Sequence, residues 1–281
     1  MVSIIMTAYN AENTIERAVN SVISQSYKDI ELIIVDDCSG DGTSDIIKTL
    51  EQRDTRIKAH RNETNVGAGL SRRKGIELLK GEYTLFLDSD DYIDSDYVER
   101  ILKYAEDTKA DIISTGLHIV DESGKLLHSK IPKELVVVEG KDKYLPDEAD
   151  VRRFLAGNLI RSSLWEDVVY SGRRFIEDTP TLFRLTYFAD KIAIVPYAGM
   201  YYVQNSSSLI HTSSKLKNAI YTALASKDNY IFSKVKGISD SPDAFLKAMR
   251  VVQLYLDSED PNDYKDELQE LFIFFLNTFK F

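Results

Sequence analysis

Short apolar runs punctuate the N-terminal third of the chain, and stretches with helical spacing separate them. Val2 to Ala8 is apolar and β-branched, which predicts a strand buried on both faces. Tyr9 and Asn10 end it. Ile15, Ala18, Val19, Val22 and Ile23 then share one face of a helix. Ile30 to Val35 predicts a second buried strand, and it stops at two carboxylates, Asp36 and Asp37. Cys38 to Thr43 is a loop, and a helix from about Thr43 to Arg53 buries Ile46, Ile47 and Leu50. Ile57 to His60 is a short strand. Asn65-Val66-Gly67-Ala68-Gly69 is a turn opening a helix to about Leu79, which Gly81 stops. Tyr83 to Leu87 is the last strand of the series, and Asp88, Asp90 and Asp91 follow it at once.

Strands alternating with helices across short loops predict a parallel sheet with crossover helices. Ligands of such sheets gather beyond the carboxyl ends of the strands. Asp36, Asp37, Asp88, Asp90 and Asp91 are therefore expected to converge along one edge. Clustered carboxylates repel one another unless a cation is present, and a hard divalent ion prefers oxygen ligands. An Asp-x-Asp taken alone reads equally as a polar turn that caps the next helix.

The rest of the chain is less regular. Ser95 to Asp107 predicts an amphipathic helix and Asp111 to Val120 a strand. Asp121 to Pro146 is polar and weakly patterned. Ala149 to Ala156 and Ser162 to Tyr170 read as helical, and Arg173 to Asp178 leads into a helix ending near Ala189. Ile192 to Val195 and Met200 to Val203 read as two short strands, and Ser206 to Ser208 as a loop. Residues 214–281 predict two or three helices, with Gly237 and Pro261 between them.

Composition narrows the classes. With 43% apolar and 28% charged residues, a chain of 281 residues holds a substantial core. A formal charge of −10 argues against a nucleic-acid partner, whose phosphates require a basic face. The single cysteine cannot close an internal disulfide, which fits a reducing compartment. No basic leader precedes the first strand, and no run reaches the roughly 18–20 apolar residues of a spanning helix.

Val2 to Asn10, Glu31 to Thr43 with its Asp36-Asp37, Asn65-Val66-Gly67, Phe86 to Asp91 and the later Glu177-Asp178 form an ordered set. In that order and spacing they closely resemble glycosyltransferase family 2, inverting enzymes of the GT-A fold. The match extends to about residue 210. The resemblance implies an α/β GT-A domain over residues 1–213, Rossmann-like, with a mostly parallel central sheet flanked by helices. Residues 1–94 would be its nucleotide-sugar half and 95–213 its acceptor and catalytic-base half, with 214–281 a helical C-terminal appendage. It implies a UDP-sugar donor, a saccharide or lipid-linked saccharide acceptor, and Mn2+ or Mg2+. It also implies a cytoplasmic setting, at its furthest peripheral to the inner face of the membrane.

Carried over residue by residue, Thr7, Ala8 and Tyr9 border the nucleoside, with Tyr9 against the base. Asp37 accepts a hydrogen bond from uracil and Asp36 holds that loop. An ionised carboxylate only accepts, so it selects a base that presents an N–H. Asn65, Gly67, Arg72, Asp88 and Ser89 complete the nucleotide contacts, Arg72 by supporting the Asp-x-Asp carboxylates or the diphosphate. Asp90 ligates the metal, with Asp91 an alternative or additional ligand. Asp178 is the catalytic base. The competing reading makes Asp36-Asp37 and Glu177-Asp178 helix N-terminal carboxylates. His211 aligns with a segment that in some relatives adds a metal ligand; a plain surface histidine is the competing reading. Arg73 stands where Asn is usual in the family, and Gln204 where Arg is common.

Other readings are weaker. Gly67-x-Gly69 resembles a dinucleotide loop, but Arg72 takes the third glycine position. A sugar-phosphate nucleotidyltransferase would need a glycine-rich basic loop after the first strand, which Thr7 to Glu12 lacks. A non-catalytic scaffold would be expected to have lost some of the acidic positions, all of which are intact. Cys38 lies in the loop near the expected base site. Leu268 to Phe281 is apolar all round, which predicts packing or self-association, its few cations arguing against a membrane surface.

Overall fold

This computed structural model describes residues 1–139, 154–173, 176–204, 214–238, 243–257 and 264–278. The N-terminal alternation forms as the sequence predicts: β1 (Val2–Ala8), α1 (Ile15–Ile23), β2 (Ile30–Asp36), α2 (Thr43–Arg53), β3 (Ile57–Arg61), α3 (Ala68–Leu78) and β4 (Tyr83–Phe86). Then come β5 (Tyr92–Ile93), α4 (Tyr97–Thr108), β6 (Ile112–Asp121), β7 (Leu126–Lys130), β8 (Val136–Glu139), β9 (Leu159–Arg161), α5 (Asp178–Phe188) and β10 (Lys191–Gln204). Three helices follow: α6 (Lys215–Lys236), α7 (Asp243–Leu256) and α8 (Lys265–Thr278).

One sheet runs in the order β3-β2-β1-β4-β9-β6-β10-β5, with β7 on β6 and β8 on β10. Strands β3, β2, β1 and β4 are mutually parallel, and β6 runs parallel to β10. The antiparallel β9 joins the two groups, pairing with β4 on one side and β6 on the other. The six co-directional strands therefore deliver their carboxyl ends to one edge. Alternation along β1 serves both faces: Ile4 and Met6 pack with α1 and α4, while Ile5 packs with Phe86 and the inner side of α5. Burial on both faces explains why these strands are unbroken apolar runs.

Four expectations change. Ser162 to Tyr170 is not a helix; only a 3-10 turn at Ser162–Glu166 forms. Leu164 and Val168 are buried at helical spacing, but the chain opens after Asp167 and Tyr170 turns into the core. Phe154 to Ala156 is not helical either, and the rest of that predicted helix lies outside the described residues. The two short strands after residue 190 are one strand, β10, with irregular register against β6 between Ile194 and Tyr201. The weakly patterned stretch after Asp121 holds β7 and β8, whose side chains are largely exposed and so carry no alternation. His211, Ser206 to Ser208 and Pro261 lie outside the described residues.

The C-terminal helices share a small core of their own, with Ile220, Leu224, Val251 and Leu271. They also lock onto the sheet domain. Arg173 forks onto Asp228 of α6 at 2.6 and 2.9 Å and reaches Glu270 of α8 at 3.2 Å. Phe232 of α6 meets Phe183, Tyr187 and Phe188 of α5 edge-on. No helix among the described residues is long and apolar enough to cross a membrane.

Helix α3 enters tightly. Gly67 takes φ 90° at its start, a conformation that glycine tolerates. A β-carbon at Gly69 would lie 2.7 Å from the Arg173 carbonyl oxygen and 2.8 Å from that of Ser171. The pair of glycines thus serves a turn and a close helix-to-loop approach, not a dinucleotide loop. Gly69→Ala is expected to cost about 1–3 kcal/mol, because the atoms in its way are backbone; chemical unfolding of the variant measures it.

Candidate active site

The loops after β1 and β2 are zipped together. The backbone N–H groups of Asn10 and Ala11 donate to Ser39 Oγ (3.0 Å) and Thr43 Oγ1 (2.7 Å), and Gly40 N donates to Asn10 Oδ1 (2.8 Å). Asn10 and Cys38 both adopt left-handed backbone, at φ 50° and 63°. The result is a rigid ledge from which the Tyr9 ring stands 54% exposed, while Ala8 is buried and Thr7 partly so.

Asp36 and Asp37 lie beneath that ledge, both buried. Asp36 accepts from Ser39 N (3.0 Å) and from Arg61 Nη1 (2.6 Å), so it braces its own loop. Asp37 accepts from Asn62 Nδ2 (2.8 Å), Val66 N (2.9 Å) and Gly67 N (2.8 Å). An ionised carboxylate has roughly four acceptor positions. Three of those on Asp37 are filled by these donors. Asn65 Nδ2 adds a longer contact to the Asp37 carbonyl at 3.3 Å. The Asn65-Val66-Gly67 turn is therefore built around Asp37. Asn62 and Arg61 were not singled out from the sequence; nothing in local pattern distinguishes them from other polar residues ending a strand.

The two acidic motifs meet at Arg72. Its side chain, on α3, is buried and nearly spent on protein partners. Nη2 donates to Asp88 Oδ1 at 2.7 Å, while Nη1 donates to Glu177 Oε1 at 2.6 Å and Asp178 Oδ1 at 2.8 Å. Burial works against the charged guanidinium, but Asp178, Tyr170, Asp88 and Glu177 outweigh it and hold its pKa well above the usual arginine value. Asp178 also accepts from Tyr170 Oη (2.6 Å) and, on Oδ2, from Leu155 N (3.1 Å). Burial chiefly, helped by the neighbouring carboxylates, keeps the Tyr170 hydroxyl protonated and so a donor. Ile176, just before the acidic pair, takes φ 55°. A β-branched residue there is strained, and such strain collects where a loop must present particular groups. Burial, then the proximity of Asp178, pushes the Glu177 carboxyl up to about 7.

Strand β4 stops at Phe86, and Asp88 to Asp91 make a turn in which Asp91 N donates to the Asp88 carbonyl at 3.1 Å. Asp88, Ser89 and Asp90 are partly exposed, but Asp91 is fully enclosed. Asp91 Oδ1 accepts from Val203 N of β10 at 2.9 Å, while Oδ2 has no partner among the described residues. Burial, then Asp88, pushes the Asp90 carboxyl up to about 6. Arg17 of α1 grips the turn from below. It donates to the Asp90 carbonyl at 2.7 Å and lies 5.0 Å from the Tyr92 ring centroid. Its place on a surface-patterned helix carried no signal of this role.

The donor set fits a metal shared with a ligand. Three carboxylates crowd one turn, and the buried Oδ2 of Asp91 has no hydrogen-bond partner among the described residues, while burial, then Asp90 and Asp88, raises that carboxyl. Among the described residues no group of three or more His, Cys, Asp or Glu is arranged to hold an ion unaided. An ion here would need further oxygen ligands from outside the chain. Asp90, partly open to solvent, fits as its ligand, with Asp91 behind it.

The profile described as Glycosyl transferase family 2 matches residues 3–157, over half of the chain. TuaG of Bacillus subtilis, provisionally named a teichuronic acid biosynthesis glycosyltransferase, is 40% identical over 133 residues, covering 46% of this chain and 53% of TuaG. WfaP of Escherichia coli is named a UDP-Glc:alpha-D-GlcNAc-diphosphoundecaprenol beta-1,3-glucosyltransferase. It is 48% identical over 92 residues, 33% of this chain and 36% of WfaP. The chain thus spans about half the length of TuaG and less of WfaP. Among solved structures, Staphylococcus aureus TarS 1–349 in complex with UDP-GlcNAc superposes with a TM-score of 0.67 at 19% identity, covering 99% of this chain and 73% of that one. That likeness extends the GT-A architecture over the whole sheet and the C-terminal helices. With the profile matched through the strand-end carboxylates, the chain belongs to glycosyl transferase family 2.

Proposed function

We propose that this chain is an inverting glycosyltransferase that moves one sugar from a UDP-sugar to a saccharide or lipid-linked saccharide, forming a β-glycosidic bond in surface-glycan assembly. The observation that carries the reading is the Arg72 bridge. One guanidinium brings Asp88, a donor-side carboxylate, and Asp178, a carboxylate fit to be a base, onto its two nitrogens. An inverting displacement needs these two functions side by side and facing opposite sides of the anomeric carbon.

In this reading the nucleoside rests on the ledge of Thr7, Ala8 and Tyr9, with Asp37 accepting from the base. Asn65 and Gly67 shape the turn around Asp37, and Ser89 lines the turn beside the diphosphate. Asp178 takes the proton of the attacking acceptor hydroxyl. The oxygen forms its bond to the anomeric carbon as the bond to UDP breaks, and the electron pair leaves with the diphosphate. Arg72 and Tyr170 aim the Asp178 carboxylate without supplying it a proton. Asp90 would hold a Mn2+ or Mg2+ ion, which when bound would supply positive charge to offset that gathered on the leaving group. The activity for which WfaP is named supports a UDP-sugar donor, a lipid-linked acceptor and a β product. We also assign residues 1–94 to the donor half, 95–213 to the acceptor half and 214–281 to a helical support.

Asp178→Asn is expected to lower transfer by about 100-fold or more while leaving UDP affinity near wild type. Transfer near the wild-type rate would remove Asp178 as the base. Asp90→Asn is expected to abolish the difference in UDP affinity measured with Mn2+ and with EDTA; an unchanged difference moves the ligand elsewhere.

The charge of the site gives a pH dependence. The Glu177 carboxyl rises from 4.5 unfolded to about 7 folded, so the native state binds the extra proton between those values. Its contribution to stability is then complete below about 4.5 and lost as pH rises through about 7. Glu177→Gln keeps a neutral group there. Unfolding of metal-free protein across this range should show the variant gaining on wild type as pH rises; a constant difference would count against the shift.

A further inference from the structure

We propose that Phe154 and Tyr202 form the acceptor platform: two rings against which a neutral pyranose lays its apolar face while one of its hydroxyls meets Asp178. The inference deepens the glycosyltransferase reading and rests on Asp178 as the base.

Each ring is tied to one side of the chemistry. Phe154 directly precedes Leu155, whose N–H donates to Asp178 Oδ2 at 3.1 Å. Tyr202 directly precedes Val203, whose N–H donates to Asp91 Oδ1 at 2.9 Å. The two ring planes lie within 20° of parallel, with centroids 6.5 Å apart. The pair thus joins a residue whose chain neighbour binds Asp178 to one whose chain neighbour binds Asp91, and we place it along the gap between base and carboxylate turn. That is the gap an acceptor must occupy for its hydroxyl to lie between Asp178 and the donor sugar.

Exposure separates Phe154 from core aromatics. Leu155 is fully buried, yet Phe154 beside it is 42% exposed. Leu155 goes inward while its backbone N–H binds Asp178, and the Phe154 side chain is left at the surface. Burial, together with Asp91, Asp90 and Asp88, raises the Tyr202 hydroxyl to about 12, which sets that ring beside the acidic turn. A solvent-facing apolar ring at the rim of an acidic site suits a ligand with two characters. A pyranose has a face of polarised C–H groups, which a ring's negative π-face attracts, and a rim of hydroxyls, which carboxylates accept from. Uncharged rings select a neutral sugar ring rather than an anionic group, and the carboxylates alongside reinforce that choice.

The test uses the full chain with saturating UDP and Mn2+, and a panel of methyl glucosides, galactosides and N-acetylhexosaminides. Saturation-transfer NMR on wild type is expected to mark C–H protons on one ring face of at least one glycoside. Phe154→Ala and Tyr202→Ala should each weaken that glycoside by about tenfold, and Phe154→Trp should retain it. UDP titrated into the same samples reports on the donor half. Equal loss of UDP and glycoside affinity would make the pair a structural support and overturn the proposal. Unchanged glycoside affinity in Phe154→Ala, or no saturation transfer to any glycoside in wild type, would overturn it too. Asp178→Asn run alongside keeps the two readings apart: full transfer by that variant sinks the base, whereas the platform is judged by binding alone.

Discussion

One buried guanidinium sets the terms for this molecule. Arg72 stands at the centre of three carboxylates drawn from two distant parts of the chain, with the Tyr170 hydroxyl 3.1 Å from Nη1. A buried arginine without partners would be very costly, and so would the buried Glu177 carboxylate beside the partly buried Asp178 without a cation. Each group is tolerable only because the others are present. Burial, and then the nearness of Asp178, pushes the Glu177 carboxyl up, and in the neighbouring Asp turn Asp91 Oδ2 finds no donor among the described residues. In the proposed reading, a diphosphate arriving with a divalent ion would bring further positive charge to the acidic turn beside it.

The scaffold accounts for how those groups are held. Helix α3 carries Arg72 and is pressed against the 171–173 segment through Gly69, so the distance from α3 to the loop that leads to Asp178 is set by backbone contact. Asp178 begins α5, and α5 is braced from behind by Phe232 of α6. Arg173 ties the same loop to Asp228 and Glu270. The C-terminal helices therefore do more than cover their own apolar faces: they buttress the element that presents Asp178. Fixed supports of this kind matter because small displacements of reacting groups are expensive in rate.

The donor side is stiffened differently. There the loops after two parallel strands exchange backbone and side-chain hydrogen bonds, and two non-glycine residues accept left-handed backbone to do so. Asp37 organises the Asn65 to Gly67 turn. On the proposed acceptor side, among the described residues, the half-exposed Phe154 lies against Tyr202.

Much of this was legible in the chain itself. A strand buried on both faces is written as a continuous apolar run, so β1, β2 and β4 were readable one by one, and the carboxylates that end β2 and follow β4 had to converge once the strands were parallel. The motif order, with Glu177-Asp178 at its end, identified the family. What local pattern leaves open is everything made by long-range contact. Arg72 and Asp178 are 106 positions apart, and no periodicity joins them. The insertion of β9 between β4 and β6, the inward turn of Asp91, the choice of Leu155 for the core and Phe154 for the rim, and the roles of Asn62, Arg17 and Tyr170 were decided only by the folded chain. The physical reason is the same in each case. A side chain's burial and partners depend on which segments pack against it, whereas sequence spacing specifies only which face of its own strand or helix it occupies.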